Sequence, residues 1–527
     1  MKRSWMKAGA TVVALLLLST ACSADPGGGG STAPTDAPPA TGGDINIAWP
    51  SQPPTLDPVV VTTSATNTIA YNVFEGLVAL DANLEVQPVL AESWSANQDY
   101  SAFTFKLRQG VAFHDGSTVE VDDVKASIER WIKSTSAGQQ FFAEAKVTTE
   151  GTDTVVITLP GTLYTGIYYL AQPLQQLVIM PAEVNALAVE QTGVPTESLV
   201  GTGPFKVESM TVDQQIVLAR FDGYTPRSDT GTGLAGAKQA KADKLIFHIV
   251  TDATTRINGL VSGQYDFASD IPADNAAELK ANPDIKLNPL NSGILAAVFD
   301  KAEGPFANQK LRQAAQIAVN AEDVLVSSYQ SEEFFDLNGA LAAPTQTDWY
   351  TQAGLENYNQ NNLDKAKQLV AESGYKGEAI KFVTTRDYPY MYNSAVVLVD
   401  LFEQIGLKVE LEVSDWGTVL NKIADPASFD VFVSDFLKRP VPIAYTYLTP
   451  TYAGTTDDPG ITAAINQVNA ATSQAEGLAG MEALQKAHYS YVPALKFGDI
   501  RAITAQRTSV DGFIPFIGPV FYGTYRV

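Results

Sequence analysis

The sequence predicts an α/β fold in which a parallel or mixed β-sheet is flanked by helices. Two stretches carry that reading. From Lys365 to Val433, segments with apolar residues at helical spacing alternate with short segments of period two. Near residue 103, Phe103, Phe105 and Leu107 alternate with Thr104 and Lys106, and a helix-period stripe follows from Val121 to Trp131. Period two marks a half-buried strand; apolar residues three or four apart mark an amphipathic helix. Strand–helix–strand order implies crossover connections, and so parallel neighbours in at least part of the sheet. No convincing internal repeat is present.

The chain opens with Lys2, Arg3 and Lys7, then an apolar run from Ala8 to Leu18. That run is shorter than the ~20 residues a membrane-spanning helix needs. A basic start, a short apolar core and small residues behind it make a secretory signal, residues 1–21. Ser19-Thr20-Ala21 followed by Cys22 resembles a bacterial lipobox, with Ser19 where Leu is usual three residues before the cysteine. The resemblance implies lipidation of Cys22 and attachment to the membrane through that anchor. Cys22 is the only cysteine, so an internal disulfide, a CxxC redox pair or a cysteine zinc site is excluded. Several acyl chains, at ~0.8 kcal/mol per buried methylene, would hold the protein stably. Residues 22–43 are rich in Gly, Pro, Ser and Thr and read as a flexible tether.

The body then runs through recognisable elements. Ser117 and Glu120 have capping-box spacing ahead of a helix whose apolar face is Val121, Val124, Ile128 and Trp131. Asp122 and Asp123 fall in its first turn, where negative charge meets the positive end of the helix dipole. A second helix is expected from Asp252, burying Ile257, Leu260 and Val261 and stopping at Gly263. A third begins near Asn308 with Leu311, Ala315 and Ala318. Lys365–Ser373 reads as helix through Ala366, Leu369 and Val370, and Ile380–Val383 as strand. Ala395, Leu398, Leu401, Phe402 and Ile405 form a helical stripe closed by Gly406. Leu407, Val409, Leu411 and Val413 alternate as a strand. Val419, Leu420 and Ile423 suggest a short helix, and Phe429–Val433 a strand.

Charge and motif content narrow the function. The 527 residues hold 58 acidic and 35 basic side chains, a formal net charge of −23. Such acidity opposes binding to nucleic acid or anionic lipid and favours solubility. The length suits two or three domains. The three histidines, His114, His248 and His488, are far apart and in no metal-ligand spacing. A GxSxG nucleophile elbow and a Walker A sequence are absent. Gly231-Thr232-Gly233-Leu234-Ala235-Gly236 matches GxGxxG, but it follows a polar stretch rather than a strand, and reads as a mobile surface loop. A carboxylate pair for glycoside hydrolysis stays open, although nothing singles one out. No cofactor or metal is expected.

Several collinear stretches then resemble one family. They are Leu56-Asp57-Pro58, Phe74-Glu75-Gly76-Leu77, Pro88-Val89-Leu90-Ala91-Glu92-Ser93-Trp94, and Phe103 to Arg108 with Gly110-Val111-Ala112-Phe113-His114-Asp115-Gly116 and Asp122-Asp123-Val124. Later come Gly201-Thr202-Gly203-Pro204-Phe205, Asp252 to Asp266, and Pro305-Phe306 with Leu311-Arg312-Gln313-Ala314. In this order they resemble the family 5 extracellular solute-binding proteins of ABC importers, which include dipeptide, oligopeptide and nickel binders. By physical reading, Trp94, Phe103 and Phe105 are core, His114 is a hydrogen-bonded turn residue, and Gly201 and Gly203 permit a tight crossing. The resemblance implies a two-lobed, type II periplasmic-binding-protein-like fold with an inserted subdomain. It places lobe I at 44–65, 204–294 and 496–527, the inserted subdomain at 66–203, and lobe II at 295–495. It implies a monomer without catalytic activity on the extracytoplasmic face of a bacterial membrane. Its partners would be an ABC permease and ATPase, and its ligand most often a short peptide. The rivals are a secreted hydrolase, a sensor or adhesin, and the same importer role for an acidic or sugar-like solute.

Candidate ligand contacts follow. Arg386 lies in Thr384-Thr385-Arg386-Asp387-Tyr388-Pro389-Tyr390, beyond the carboxyl end of a strand. This position resembles the family's Arg-Pro-Tyr-Asn turn, which holds a ligand carboxylate in dipeptide-type members. A guanidinium suits that role through bidentate pairing; a surface ion pair with Asp387 is the other reading. Trp416 either lines the cleft or packs on the helix that follows, and Tyr388, Tyr390 and Tyr392 either line the cleft or coat a loop. After the Phe429-Asp430 strand, peptide binders usually carry an aromatic residue and then an Asp for the ligand's ammonium. Here Ser434-Asp435-Phe436-Leu437-Lys438-Arg439 places Phe436 as the aromatic, Lys438 or Arg439 in the acidic slot, and Asp435 ahead of it. A basic residue would repel an ammonium, which favours an acidic, acylated or sugar-like ligand. Three histidines argue against nickel.

Overall fold

Two long strands organise the protein. Ile285–Phe299 and Ala494–Arg507 lie antiparallel, side by side, in the middle of an eleven-stranded mixed sheet. The computed structural model that shows this describes residues 42–190, 192–229 and 231–527. The signal segment, Cys22 and the tether up to residue 41 lie outside the described residues. Residues Leu295 to Phe299 are all buried, the unbroken apolar run expected of a strand covered on both faces.

Beyond this central pair the sheet continues in two directions. On one side come Val431–Leu437, Ala379–Thr385 and Lys408–Ser414; on the other come Phe267–Ala268, Asp44–Trp49, Lys244–Ile249, Gln215–Arg220 and Phe205–Thr211. Ala379–Thr385 is parallel to both of its neighbours, and so is Asp44–Trp49. The register of the central pair shifts between Asn291 and Gly293, and again between Leu295 and Ala296. Such bulges bend a strand locally.

The elements read from local pattern are present. Asp252 caps Ala253–Ser262 through Thr255 N–H, and Gly263 ends it at φ +83°. Asn308 caps Gln309–Ala318, where Leu311, Ala315 and Ala318 are buried. The 365–373 helix runs Leu363–Ser373, and the stripe ending at Gly406 lies on Pro389–Gln404. The strand–helix–strand order of 379–414 does give a parallel pair.

Four expectations need correction. Ser117 is not the cap of the Val121–Ser134 helix: Glu120 is, its backbone N–H donating to Asp123, while Ser117 bonds Asp115. Val261 and Leu420 are exposed although helical spacing placed them inward. Val413 is exposed because its strand is the sheet edge. The GxGxxG stretch is not a mobile surface loop. Leu234 and Ala235 are buried, Gly233 sits at φ +62° against the backbone of Asp81, and Tyr522 Oη–H donates to the Gly233 carbonyl at 3.1 Å.

A separate four-stranded antiparallel sheet has the order Ala91–Ala96, Ala102–Leu107, Thr154–Thr158 and Lys146–Glu150. Phe103 and Phe105 are buried with Val124, Ile128 and Trp131 of the Val121–Ser134 helix, as their spacing implied. His114 is the turn residue expected. Its Nδ1 accepts from Gly201 N–H at 3.2 Å, so Nε2 carries the proton and donates to the Gly203 carbonyl at 3.0 Å. Burial pushes its pKa down to about 4, which keeps this pairing neutral. A Cβ on Gly203 would lie 2.6 Å from the Val73 carbonyl carbon, backbone against backbone, so only glycine fits this crossing.

Candidate functional site

The parallel strands of the second half end together. Thr385 pairs in register with Ser414, and Val383 with Phe432. That register brings Arg386, Trp416 and Asp435 to one end of the sheet, beyond or near the carboxyl ends of three strands, where open α/β sheets bind ligands.

Arg386 is exposed. Its Nη2 donates to Tyr392 Oη at 2.8 Å, and its guanidinium lies 4.4 Å from the centre of the Tyr392 ring. Asp387 is not its partner: that carboxylate accepts Trp416 N–H at 2.8 Å, tying two loops together. Trp416 is half-buried at the start of the Trp416–Ile423 helix, with its ring edge-on to Tyr388 at 5.6 Å. Tyr388, 39% exposed, caps the next helix by its backbone and lies 6.0 Å from Tyr390, which stacks in turn on Tyr329.

Asp435 lies on the Val431–Leu437 strand and accepts Tyr390 Oη–H at 2.7 Å. Burial pushes its carboxyl above the usual range. Burial raises the Asp270 carboxyl, the Arg256 guanidinium opposes that rise, and the Asp435 charge adds a smaller upward push. Asp270 sits at φ +51° just after the Phe267–Ala268 strand. Its main chain is held by Arg256, which donates to the carbonyls of Val250, Thr251, Ser269 and Asp270 at 2.8–3.0 Å. Arg256 makes its hydrogen bonds to backbone, while its charge still acts on the Asp270 carboxyl.

Phe436 is buried with its ring edge-on to Tyr447 and Tyr452. Arg439 follows, anchored by Gln346 Nε2–H on its carbonyl at 2.8 Å. Its Nε is shut off from solvent without a hydrogen-bond partner, and burial lowers its pKa, with Tyr445, Tyr169 and Tyr452 opposing that shift. Lys438 stands in a field of Asp499, Lys496, Asp336 and Arg501, so that cations outnumber carboxylates around the pair.

Of the residues expected from the sequence, Arg386, Tyr388, Trp416 and Asp435 lie at one end of the sheet, and Phe436 and Arg439 lie along or just after the Val431–Leu437 strand. Asp270 and Tyr169, from distant segments, act electrostatically on this region and were not picked out from the sequence. For Asp270 the single trace was a Ser-Asp turn ahead of Ile271-Pro272; for Tyr169 there was none. The helix carrying Tyr169 is preceded by a docking loop. Tyr164 N–H donates to Asn469 O at 2.9 Å, Thr165 Oγ1–H to Asn469 Oδ1 at 2.6 Å, and Tyr164 and Tyr168 turn their edges to Trp349.

The remaining histidine environment makes a pH prediction. His488 is 1% exposed between Tyr447 and Tyr489, and neither ring nitrogen has a partner. Burial pushes its pKa down to about 3, with Lys496 and Lys301 adding to the effect. The unfolded chain takes up this proton near pH 6.5 and the folded one does not. Stability from the neutral ring is therefore complete above pH ~6.5 and lost as pH falls toward the folded pKa. Between pH 6.5 and 5, His488→Phe should gain about 2 kcal/mol relative to wild type in urea unfolding; an unchanged difference would refute a neutral buried ring.

Among the described residues, no helix is long and apolar enough to cross a membrane, and no cluster of three or more His, Cys, Asp or Glu is placed to hold a metal ion. The family profile of bacterial extracellular solute-binding proteins, family 5 (middle region), matches residues 85–458. A probable peptide ABC transporter periplasmic-binding protein of Sinorhizobium fredii is 29% identical over 411 residues, 72% of this chain and 73% of that one. A glutathione-binding protein of Salmonella paratyphi A is 28% identical over 385 residues, 71% and 70% of the two chains. The PBP AgaA of A. tumefaciens R10, solved with agropinic acid, is 26% identical with a TM-score of 0.74, covering 92% of this chain and 99% of that one. A substrate-binding protein of Listeria monocytogenes shares the fold at a TM-score of 0.80 and 20% identity, covering 92% and 99%. The α/β architecture is that of the periplasmic binding proteins, and the chain belongs to family 5 of the bacterial extracellular solute-binding proteins.

Proposed function

We propose that this protein is the extracytoplasmic substrate-binding component of an ABC importer, and that it captures a short peptide or peptide-like solute between its lobes and delivers it to the membrane permease. One observation carries the reading. Arg386, Tyr388, Trp416 and Asp435 come together beyond or near the carboxyl ends of three strands, and the Arg386 and Asp435 side chains bond tyrosine hydroxyls rather than each other. Groups left in that state are built to meet something else. We assign lobe I to 44–65, 204–294 and 496–527, the inserted subdomain to 66–203 and lobe II to 295–495. The two bulged central strands would serve as the hinge. Closure follows as a population shift, because a ligand touching both lobes favours the closed state alone. The role is binding and hand-over, without catalysis.

Attachment through lipidated Cys22 completes the proposal, since the signal and tether suit a protein working just outside the membrane. Cys22→Ser should move the protein from the membrane to the soluble fraction; continued membrane association would refute the anchor. Native mass spectrometry of the full chain, as purified and after exposure to mixed short peptides, tests the solute. Bound peptides of defined length support the reading, and a chain that ignores all of them overturns it. Arg386, exposed and stacked on Tyr392, should matter modestly: Arg386→Ala is expected to weaken binding by no more than about 1 kcal/mol, as for other exposed charges.

A further inference from the structure

Tyr164 is buried in a slot that its own segment does not make. It packs into the cluster of buried side chains around Trp349, Ile461 and Met481. Trp349 stands edge-on to its ring at 5.9 Å, and Tyr168 from the same loop meets Trp349 at 5.5 Å. The floor of the slot is Gly477, inside the Gln474–Tyr491 helix: a Cβ there would lie 2.9 Å from the Tyr164 ring and 3.4 Å from Trp349. Glycine weakens a helix interior, so its place here is explained by the ring it admits.

Polar pairs surround this aromatic centre. Tyr164 N–H donates to Asn469 O at 2.9 Å, the fully buried Thr165 donates Oγ1–H to Asn469 Oδ1 at 2.6 Å, and Tyr168 Oη–H donates to Asp348 at 3.2 Å. Gln474 donates to the other oxygen of Asp348. An aromatic anchor in a slot with a polar rim is the anatomy of an interface that can part.

Both sides of the contact are braced. Tyr100, in the turn between Ala91–Ala96 and Ala102–Leu107, sits at φ +53°, a conformation disfavoured for an aromatic residue. There its carbonyl accepts Leu163 N–H at 3.1 Å and its ring meets Tyr164 edge-on at 4.9 Å. On the other side the Gln346 carbonyl accepts Trp349 N–H at 3.0 Å, while Gln346 Nε2 donates to the carbonyls of Arg439 and Pro440 at 2.8 and 3.2 Å. The slot and a candidate ligand residue therefore share one turn.

Resting on the lobe assignment proposed above, we propose that Tyr164 and its slot form a latch that holds the inserted subdomain to lobe II in the absence of solute. Every contact in it is protein to protein, so it favours the closed state whether or not the cleft is filled. Solute entry then waits on the latch opening, and a solute that touches both lobes prolongs a closure the latch already favours.

The test reads the ligand-free full chain, with Cys22→Ser removing the native thiol and spin labels on Glu144→Cys in the subdomain and Lys365→Cys in lobe II, both exposed positions. Double electron–electron resonance should give a single separation in this background. Gly477→Ala should push the ring out and add a longer separation, its population rising from below about a tenth to above about a half. Alanine favours the helix, so the variant keeps its fold while losing the slot. Tyr164→Ala should do the same, and Tyr164→Phe, which keeps the ring, should not. Identical distributions in the background chain, Gly477→Ala and Tyr164→Ala overturn the latch, and so does a background chain in which the longer separation already predominates. The measurement contains no peptide, so a failed latch leaves the importer reading standing, and native mass spectrometry decides that reading separately.

Discussion

Replacing Asp57 with alanine should destabilise the protein by on the order of 3–5 kcal/mol, the cost of stranding one member of a buried ion pair. Asp57 is completely buried and takes Arg130 as its ion partner. Its carboxylate also accepts Val59 N–H at 3.1 Å and Val194 N–H at 2.8 Å. Arg130 comes from the Val121–Ser134 helix, and its Nε and Nη1 are buried without hydrogen-bond partners, so Asp57 is its compensation. Removing the carboxylate leaves a buried guanidinium and two backbone donors unmet. Asp57→Leu combined with Arg130→Met should recover most of the loss, because it removes both charges and keeps apolar volume. Urea unfolding of the full chain measures both. A loss below about 1 kcal/mol for Asp57→Ala would mean that the stranded Arg130 guanidinium finds solvent or another partner, and overturns Asp57 as its required compensation.

Arg312→Leu should cost about 4 kcal/mol, from several buried carbonyls losing their donor at ~1–3 kcal/mol each. Arg312 is 1% exposed and, among the described residues, its hydrogen bonds all go to backbone carbonyls. Its Nε donates to Val492 O at 3.0 Å, Nη1 to Phe306 O at 2.7 Å and to Ala307 O at 3.2 Å, and Nη2 to Tyr491 O at 2.9 Å. Its guanidinium also lies over the Tyr491 ring at 4.5 Å. Tyr491 and Val492 end the Gln474–Tyr491 helix, whose last carbonyls lack helical partners and carry the negative end of its dipole. One cation thus closes that helix and fastens it to the loop before its own. Burial lowers its pKa to about 10, so it stays charged at neutral pH. Arg312→Lys should recover only part of the loss, because an ammonium cannot reproduce the planar fork. A Lys variant as stable as wild type would show that charge alone suffices.

Elements whose limits depend on neighbouring residues were legible. Asp252 and Gly263 bound one helix, Asn308 starts another, and the alternation after Gly406 is a strand, because caps and periodicity act over three or four positions. Errors arose where a second body decided the outcome. Leu420 and Val261 have helical spacing, but nothing packs over them. Gly231–Gly236 has loop composition, yet Tyr522 and the Asp81 backbone close over it.

The candidate site divides in the same way. Arg386, Trp416, Asp435 and Arg439 could be picked out because each lies at or just beyond a strand end that the alternation reveals. Asp270 and Tyr169 could not, since no local pattern says which distant strand or helix will face those ends. The Leu56-Asp57-Pro58 and Leu311-Arg312-Gln313-Ala314 stretches identified the family without explaining themselves. Their reasons are Arg130, 73 positions beyond Asp57, and the helix end at Tyr491, 179 positions beyond Arg312. Fold class, helix limits and family were determined by the sequence, because they rest on short-range burial and turn chemistry. Which charges are paired and which are not was decided by the tertiary structure, because a charge in a folded chain is compensated by whatever the sheet brings beside it.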